Sequence, residues 1–404
     1  MAISTVQQVK TPKAAPPALD RQPLKIAIAR RYYSLQRGGA ERYCVNLSRQ
    51  LLKLGHDVSF VGEGIDDALS DELPFFPVRV QSSTSSARNR SFAENCGKVI
   101  AGQNFDIVYG LGRSLGVDLF RVTERLQSHW LNVHYRNRAH RLLQQLNPRH
   151  RTLIELERTI CQSPQTRRIV TISSVDGALL QRYYDVPPEK IRTIYNGVDI
   201  DHFHPRAQQF SAEVRREWGI GEHDPLITFA SMDFAGKGLR TILESLRSAR
   251  NQEIQLLVLG RGPQHKFARL AKQLGVANRV TFAGRQDKIE RFYAAGDLMV
   301  LPTTYEPFPN VVVESMACGV PAITTATAGG ADMIDEEATG YLLPDSWAVG
   351  ELAERLDHHF SKTDAQRELM ATASRARTAT MTVENNARQV SELFYEVLRD
   401  KSRV

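Results

Sequence analysis

The segment KIAIARRYYSLQRGGAERYCVNLSRQLLKLGHDVSFV, residues 25–61, decides the fold. Lys25–Ala29 is short and turns from alternating to wholly apolar, the pattern of a strand covered on both faces. Gln36-Arg37-Gly38-Gly39 reads as a loop. From Ala40 to Leu54 apolar residues recur at helical spacing, Gly55 supplies a left-handed stop, and residues 57–61 form a second strand. Strand, helix and strand in succession predict a βαβ unit, hence a parallel sheet covered by helices. The loop QRGGAE departs from G-x-G-x-x-G. A nicotinamide-dependent oxidoreductase or epimerase is thereby disfavoured.

Outward from this unit, further strands are expected at 106–109, 169–172 and 191–195. The polar stretch QSSTSSARNR, 81–90, is expected to be a mobile loop. Residues 1–22, rich in Ala, Pro, Gln and Lys, read as a disordered leader. After Pro205 a second series begins. It predicts strands at 226–230, 255–259, 279–282, 297–301 and 321–324, alternating with helices at 238–248, 264–274, 287–295 and 310–317. The tail, 383–399, is an amphipathic helix with Val390, Leu393, Phe394, Val397 and Leu398 on its apolar side. The class is α/β, with two Rossmann-like domains at 23–200 and 201–382 facing each other across a cleft. Ligands in such a pair sit at the carboxyl ends of the strands.

Composition narrows the class of function. The chain has 404 residues, 42% hydrophobic and 24% charged, which excludes collagenous, coiled-coil and wholly disordered chains. No apolar run approaches the length of a membrane span, and residues 1–22 lack an apolar signal core, so a cytoplasmic location is expected. Cysteines stand at 44, 96, 161 and 318 without a CxxC pair, which supports neither a disulfide framework nor a zinc site. The net charge of +7 is uneven: residues 1–200 hold 28 Lys and Arg against 18 Asp and Glu, the remainder 24 against 27. Between Arg113 and Arg168 there are eleven arginines and four acids. The expected partner is therefore anionic: a phosphorylated substrate, a glycolipid or glycan, or a membrane surface. Nucleic acid is not expected, because no recognition motif or aromatic interleaving accompanies the charge.

The chemistry concentrates in YEPFPNVVVESMACG, 305–319. Pro307 and Pro309 forbid a regular helix between Glu306 and Glu314, so Glu306 lies on a loop and Glu314 in the first turns of the next helix. The amides at that helix start, from Asn310 onward, favour an anion. Carboxylates beside an anion site suit a ligand with hydroxyls at one place and a diphosphate at another, as in a nucleotide sugar. The plainer reading of Glu314 is an acid that favours the helix dipole.

On these residues the chain resembles the retaining family-4 glycosyltransferases of GT-B fold. Glu306 and Glu314 match their Glu-x7-Glu pair, within Leu301-Pro302 and Glu314-Ser315-Met316-Ala317-Cys318-Gly319-Val320-Pro321. Gly38-Gly39-x-Glu41, Asn196-Gly197-Val198-Asp199 with Phe203 and Pro205, and Gly329-Gly330 match further family motifs in order. Within the family the resemblance runs to the lipopolysaccharide-core glucosyltransferase I group, through Asp233-Phe234-x-x-Lys237-Gly238 and Gly284-Arg285.

The resemblance implies a GT-B pair whose C-terminal helix, 383–404, returns to the N-terminal domain. It implies transfer of a hexose from a nucleoside diphosphate sugar, with uracil as the base, to a lipid-linked or polysaccharide acceptor at the inner face of the membrane. Charge neutralisation falls to basic groups and helix amides, without a metal or other cofactor. Glu314 takes the ribose; Glu306 takes the donor sugar. Lys237 and the amides of Phe308, Asn310 and Val311 line phosphate and sugar, Asp233 belongs to the same loop, and Gly38 and Gly39 let the first loop approach. Many relatives carry an arginine five residues before the lysine. This chain has Met232 there, with Arg261 or Arg285 as substitutes, and that departure keeps a non-catalytic sugar-nucleotide-binding protein as the alternative. Glu124 and His134 compete, with His129, for the acceptor side. Asp199-Ile200-Asp201 resembles a metal-binding D-x-D but belongs to the hinge motif, and Ser173 is expected to cap a helix.

Overall fold

The computed structural model describes residues 22–81, 83–135 and 137–402. Residues 1–21 of the expected leader lie outside these, as does Arg136. Two parallel sheets stand one after the other in the chain. The first joins β1 (Lys25–Ala29), β3 (Asp57–Gly62), β5 (Phe75–Pro77), β6 (Ile107–Gly110), β7 (Leu119–Arg121), β8 (Arg168–Thr171) and β9 (Ile191–Thr193), in the order β5-β3-β1-β6-β7-β8-β9. The short strands β2 (Tyr32–Tyr33) and β4 (Gly64–Ile65) pair with each other at its edge. The second joins β10 (Leu226–Ser231), β11 (Gln255–Gly260), β12 (Val280–Gly284), β13 (Leu298–Leu301), β14 (Ala322–Thr325) and β15 (Gly340–Leu343), in the order β12-β11-β10-β13-β14-β15. This is the two-domain α/β architecture expected from residues 25–61 and the series after Pro205.

The strands are nearly continuous runs of Val, Ile, Leu and Ala because helices cover both faces of each sheet. β1 is buried from Ile26 to Ala29, and β13 throughout. In each sheet the strand order reverses beside the first strand, between β1 and β6 and between β10 and β13. Those reversals open a crevice at the carboxyl ends of the strands.

The last helix, Val383–Ser402, lies against the first sheet rather than the second. Ala387, Val390, Leu393, Phe394 and Val397 join the core formed by Ile26, Ile28, Val58 and Tyr109. Lys401 pairs with Asp118 at 2.7 Å, and Arg168 with Asp400 at 2.6 Å, which fixes the chain end to the first domain.

The stretch 81–90 is not a loop through its length. A helix runs Ser85–Ala101, capped by Thr84 Oγ1, which accepts from Ala87 N–H at 3.1 Å. Its first turns are polar because they face solvent, and only from Ser91 onward do residues sink into the core. All four cysteines are buried and free. Ser173 caps the helix Ser174–Tyr184.

Candidate active site

After β10 the chain turns through Met232-Asp233-Phe234-Ala235-Gly236-Lys237-Gly238. Asp233 Oδ1 accepts from Gly236 N–H at 3.0 Å, which closes the turn. Gly238 holds φ at +82°, and a Cβ there would lie 2.2 Å from the Pro302 carbonyl oxygen, so only glycine fits. The loop after β13 comes alongside: Thr304 N–H and Thr303 Oγ1 both donate to Gly236 O at 3.3 Å. The second sheet's crevice thus joins two loops, one carrying Lys237 and the other Glu306.

The Lys237 ammonium contacts Glu306 Oε2 directly. Burial and the nearby Arg125 guanidinium pull Lys237 down to about 7, with Asp233 opposing them. The Glu306 carboxylate favours the charged amine. Arg125 comes from the other domain, on the loop after β7. Its Nη2 lies 3.7 Å from Glu306 Oε2 and 3.9 Å from Asp233 Oδ2.

Glu314 stands apart from this cluster. It lies in the helix Asn310–Ala317 and accepts from the Tyr293 hydroxyl at 3.1 Å. Burial pushes its carboxyl above the usual range, with Tyr293, Arg42 and His202 opposing. Asn310 opens that helix, and its Oδ1 accepts from Asn196 Nδ2 at 3.0 Å. Gly39 lies over the same place, where an added Cβ would be 3.6 Å from Asn310 Nδ2. Gly38 is simply extended, with Glu41 beside it. Val311 is half-buried, and Phe308 is buried in the second domain's core.

The structure does not bring Arg261 or Arg285 to this point. Both are exposed, and Arg285 faces Asp287 at 3.9 Å. Among the described residues the cations within 4 Å of Glu306 are Lys237 and Arg125. Arg261 follows β11 and Arg285 follows β12, and neither makes an ion pair with Glu306 or Asp233 among the described residues. Asp199 Oδ1 accepts from the amides of Asp201 and His202, a turn rather than an ion site.

On the opposite wall Glu124 is bonded to Arg113, which also pairs with the buried Glu157. Desolvation works against the Glu124 carboxylate, but Arg113 and Arg30 outweigh it and hold the group below the usual range. A carboxylate so held is a weak base, so proton uptake by Glu124 has little support. His134 stacks on Trp130 with ring centroids 4.3 Å apart and is exposed. Desolvation and Arg125 lower it, which leaves a neutral imidazole facing the cleft at pH 7. His129 is held lower still, at about 4, edge-on to Tyr305 at 4.7 Å.

Two family models match the chain in series: "Glycosyltransferase Family 4" over residues 37–202 and "Glycosyl transferases group 1" over 210–377. The chain is 24% identical over 326 residues to the lipopolysaccharide glucosyltransferase WaaG of Escherichia coli K12, covering 79% of this chain and 85% of that one. The crystal structure of WaaG superposes with a TM-score of 0.76 at 22% identity, over 91% of this chain and 99% of that one. Anabaena HepE, solved in complex with UDP-glucose, superposes at 0.69 and 18% identity, over 92% and 100%.

The chain belongs to the GT-B glycosyltransferases.

In this glycosyltransferase, sequence reading missed the residues that join the domains. Tyr305, beside Glu306, is buried in the first domain's core. Its hydroxyl donates to Asp176 Oδ1 at 2.8 Å and accepts from Leu126 N–H at 3.3 Å. Asp332 accepts from Ser174 N–H at 2.6 Å and Ser174 Oγ at 2.5 Å. A Cβ on Gly329 would strike Pro307 O at 1.8 Å and Ser173 Cβ at 2.6 Å, so this glycine permits the close approach. Arg125 was overlooked although its neighbour Glu124 was singled out. The signal was present as a basic residue in a loop after a strand, but its partners lie in the other domain.

Proposed function

We propose that this glycosyltransferase is a retaining, metal-independent hexosyltransferase that uses a UDP-sugar donor. Its acceptor is an anionic lipid-linked or polysaccharide glycan of the cell envelope, lipopolysaccharide core-like. The observation that carries the reading is the joint placement of Lys237 and Glu306 at the strand ends of the second sheet, one helix start away from Glu314. A donor laid across these groups sets its diphosphate against Lys237 and the first-turn amides of Asn310–Ala317. Its ribose hydroxyls meet Glu314 and its sugar hydroxyls meet Glu306. Lys237 meets the charge that the diphosphate gains as the glycosidic bond breaks. A preorganised donor of this kind is worth roughly 3–4 kcal/mol of barrier. HepE, bound to UDP-glucose, supports the choice of base.

The anionic acceptor and a membrane-side location rest on the first domain. No acidic residue occurs between Glu124 and Glu155, a run holding six arginines. Within it the helix Arg138–Gln145 buries none of its residues, and Leu142, Leu143 and Leu146 are 63%, 66% and 68% exposed. No helix of the described residues is long and apolar enough to cross a membrane, so peripheral attachment is the form proposed.

The test is turnover of radiolabelled UDP-sugars, with and without excess EDTA, using envelope glycolipid extracts as acceptors. Sugar transfer that persists in EDTA is expected. Tight UDP-sugar binding without transfer or donor breakdown would favour the non-catalytic binding protein. Complete loss on chelation, restored by Mg²⁺ or Mn²⁺, would refute neutralisation by Lys237 and amides.

A further inference from the structure

We propose that Arg125, carried by the first domain, is the second cation of the donor diphosphate site, so that the two domains build that site jointly. The proposal rests on the donor reading above and goes beyond it in assigning a residue and a domain.

The second domain alone is short of positive charge. Lys237 is already in contact with the Glu306 carboxylate, and Met232, on the same loop, is 66% exposed and brings no charge. A diphosphate brings at least two negative charges to this place. One lysine that shares its charge with a carboxylate does not balance them.

Arg125 is placed and held to do so. Its carbonyl and the two residues after it are pinned: Arg113 Nη2 donates to Arg125 O at 3.0 Å, Leu126 N–H donates to the Tyr305 hydroxyl, and Gln127 N–H donates to both Glu157 oxygens at 3.0 and 3.1 Å. Its guanidinium, in contrast, makes no hydrogen bond among the described residues. It is one-third exposed and stands 3.7 and 3.9 Å from two carboxylates without bonding either. A guanidinium presents five N–H donors in a planar fork suited to phosphate oxygens. Here the fork stands between Glu306 and Asp233, paired with both by charge and hydrogen-bonded to neither among the described residues. The lowering of Lys237 and of His134 by Arg125 shows that its charge is felt on both walls.

In the transfer the bond from the sugar's anomeric carbon to the β-phosphate oxygen breaks, and its electron pair leaves with the diphosphate. The acceptor hydroxyl oxygen bonds to that carbon, and its proton passes to the departing diphosphate. Arg125 meets the charge that the β-phosphate gains. A phosphate arriving there displaces the two carboxylates as the guanidinium's partner, which ties the domains together through the donor.

The experiment compares binding of UDP and UMP, which differ in the β-phosphate, by calorimetry on the full chain. ADP with AMP and GDP with GMP run in parallel. The variants are Arg125→Gln, Arg125→Lys and Arg125→Gln combined with Met232→Arg. Loss of charge-assisted hydrogen bonds predicts that R125Q weakens UDP by about 10- to 100-fold while UMP is held as in the parent. R125K keeps an intermediate preference for UDP, and M232R restores it in the R125Q background by supplying the cation from the second domain. An unchanged UDP-to-UMP ratio in R125Q would overturn the proposal. So would equal weakening of UDP and UMP that neither R125K nor M232R reverses, since that marks a folding role. A parent chain that binds no nucleoside diphosphate would instead bring down the donor reading, and the proposal with it.

Discussion

Glu306 and Glu314 belong to one sequence motif but stand in two environments. Glu306 faces two cations, Lys237 and Arg125, whereas Glu314 is half-buried beside the Tyr293 hydroxyl. The proposed donor gives them different tasks, sugar hydroxyls for Glu306 and ribose hydroxyls for Glu314. Replacing each by Gln separates them. E314Q should weaken UDP itself by about tenfold, the loss of one good hydrogen-bonding partner. E306Q should not weaken UDP, because the carboxylate it removes competes with the diphosphate for Lys237 and Arg125, and it should lower turnover, because Glu306 is the group proposed to hold the donor sugar. Calorimetry with UDP and initial rates with UDP-glucose read the two effects. Equal weakening of UDP by both variants would contradict the division. Sequence alone revealed both acids, because proline positions and the helix start constrain them locally. It could not reveal Arg125, whose partner Glu306 lies in the other domain and is met only through the tertiary fold.

At the scale of elements, legibility followed burial. Parallel strands covered on both faces, such as β1 and β13, read directly as apolar runs. Residues 81–90 read as loop because the first turns of the helix Ser85–Ala101 meet solvent and carry no apolar periodicity. The helices Gln127–His134 and Pro148–Gln162 were not anticipated, and Arg138–Gln145 only so far as the spacing of Arg136, Arg138 and Arg141 suits one side of a helix or its lead-in loop. Among these, Arg138–Gln145 is the one that does not serve the core. Its leucines at 142, 143 and 146 fall on one side, with Arg138 and Arg141 at the flank. The membrane attachment proposed above would set such a helix in the interface, with its leucines among acyl chains and its arginines at the headgroups. Sedimentation with vesicles containing anionic phospholipid should show binding that falls as NaCl rises. R138Q/R141Q should weaken it by about 2 kcal/mol, roughly 30-fold, at about 1 kcal/mol per basic residue. L142Q/L143Q/L146Q should reduce the binding that survives high salt. Parental sedimentation of both variants would show that this helix is not the membrane face.

For the whole molecule the question is what holds the two domains in register across the cleft. The chain crosses between them twice, and among the described residues the ties include the Tyr305 ring in the first domain's core, Arg125 beside Glu306 and Asp233, and the hydrogen bonds Asn196 to Asn310, Ser174 to Asp332, and Tyr305 to Asp176. The last is unusual. Asp176 is fully buried, one of its oxygens accepts from Tyr305, and the other has no partner among the described residues. Burial pushes its carboxyl up to about 7, with Asp332 adding in the same direction and the nearby Tyr305 and Ser173 hydroxyls opposing. In the unfolded chain the same group titrates near 4. Between about pH 4 and 7 the folded state therefore holds a proton that the unfolded state has released. Stability from this group is greatest below that window and falls as pH rises through it, by up to about 1.4 kcal/mol per pH unit. Asp176→Asn keeps a neutral side chain at every pH and so removes this slope. Melting temperatures of parent and D176N, taken from pH 5 to 8, should converge at the acid end and separate toward pH 8, with D176N the more stable. Tyr305→Phe should act in the opposite sense. It removes the donor to Asp176 and steepens the loss toward neutral pH, costing about 1–3 kcal/mol near pH 7 for a buried group left unsatisfied. A D176N melting profile parallel to the parent's across this range would mean that Asp176 is ionised in the folded cleft, with the domain junction then held by charge rather than by a shared proton.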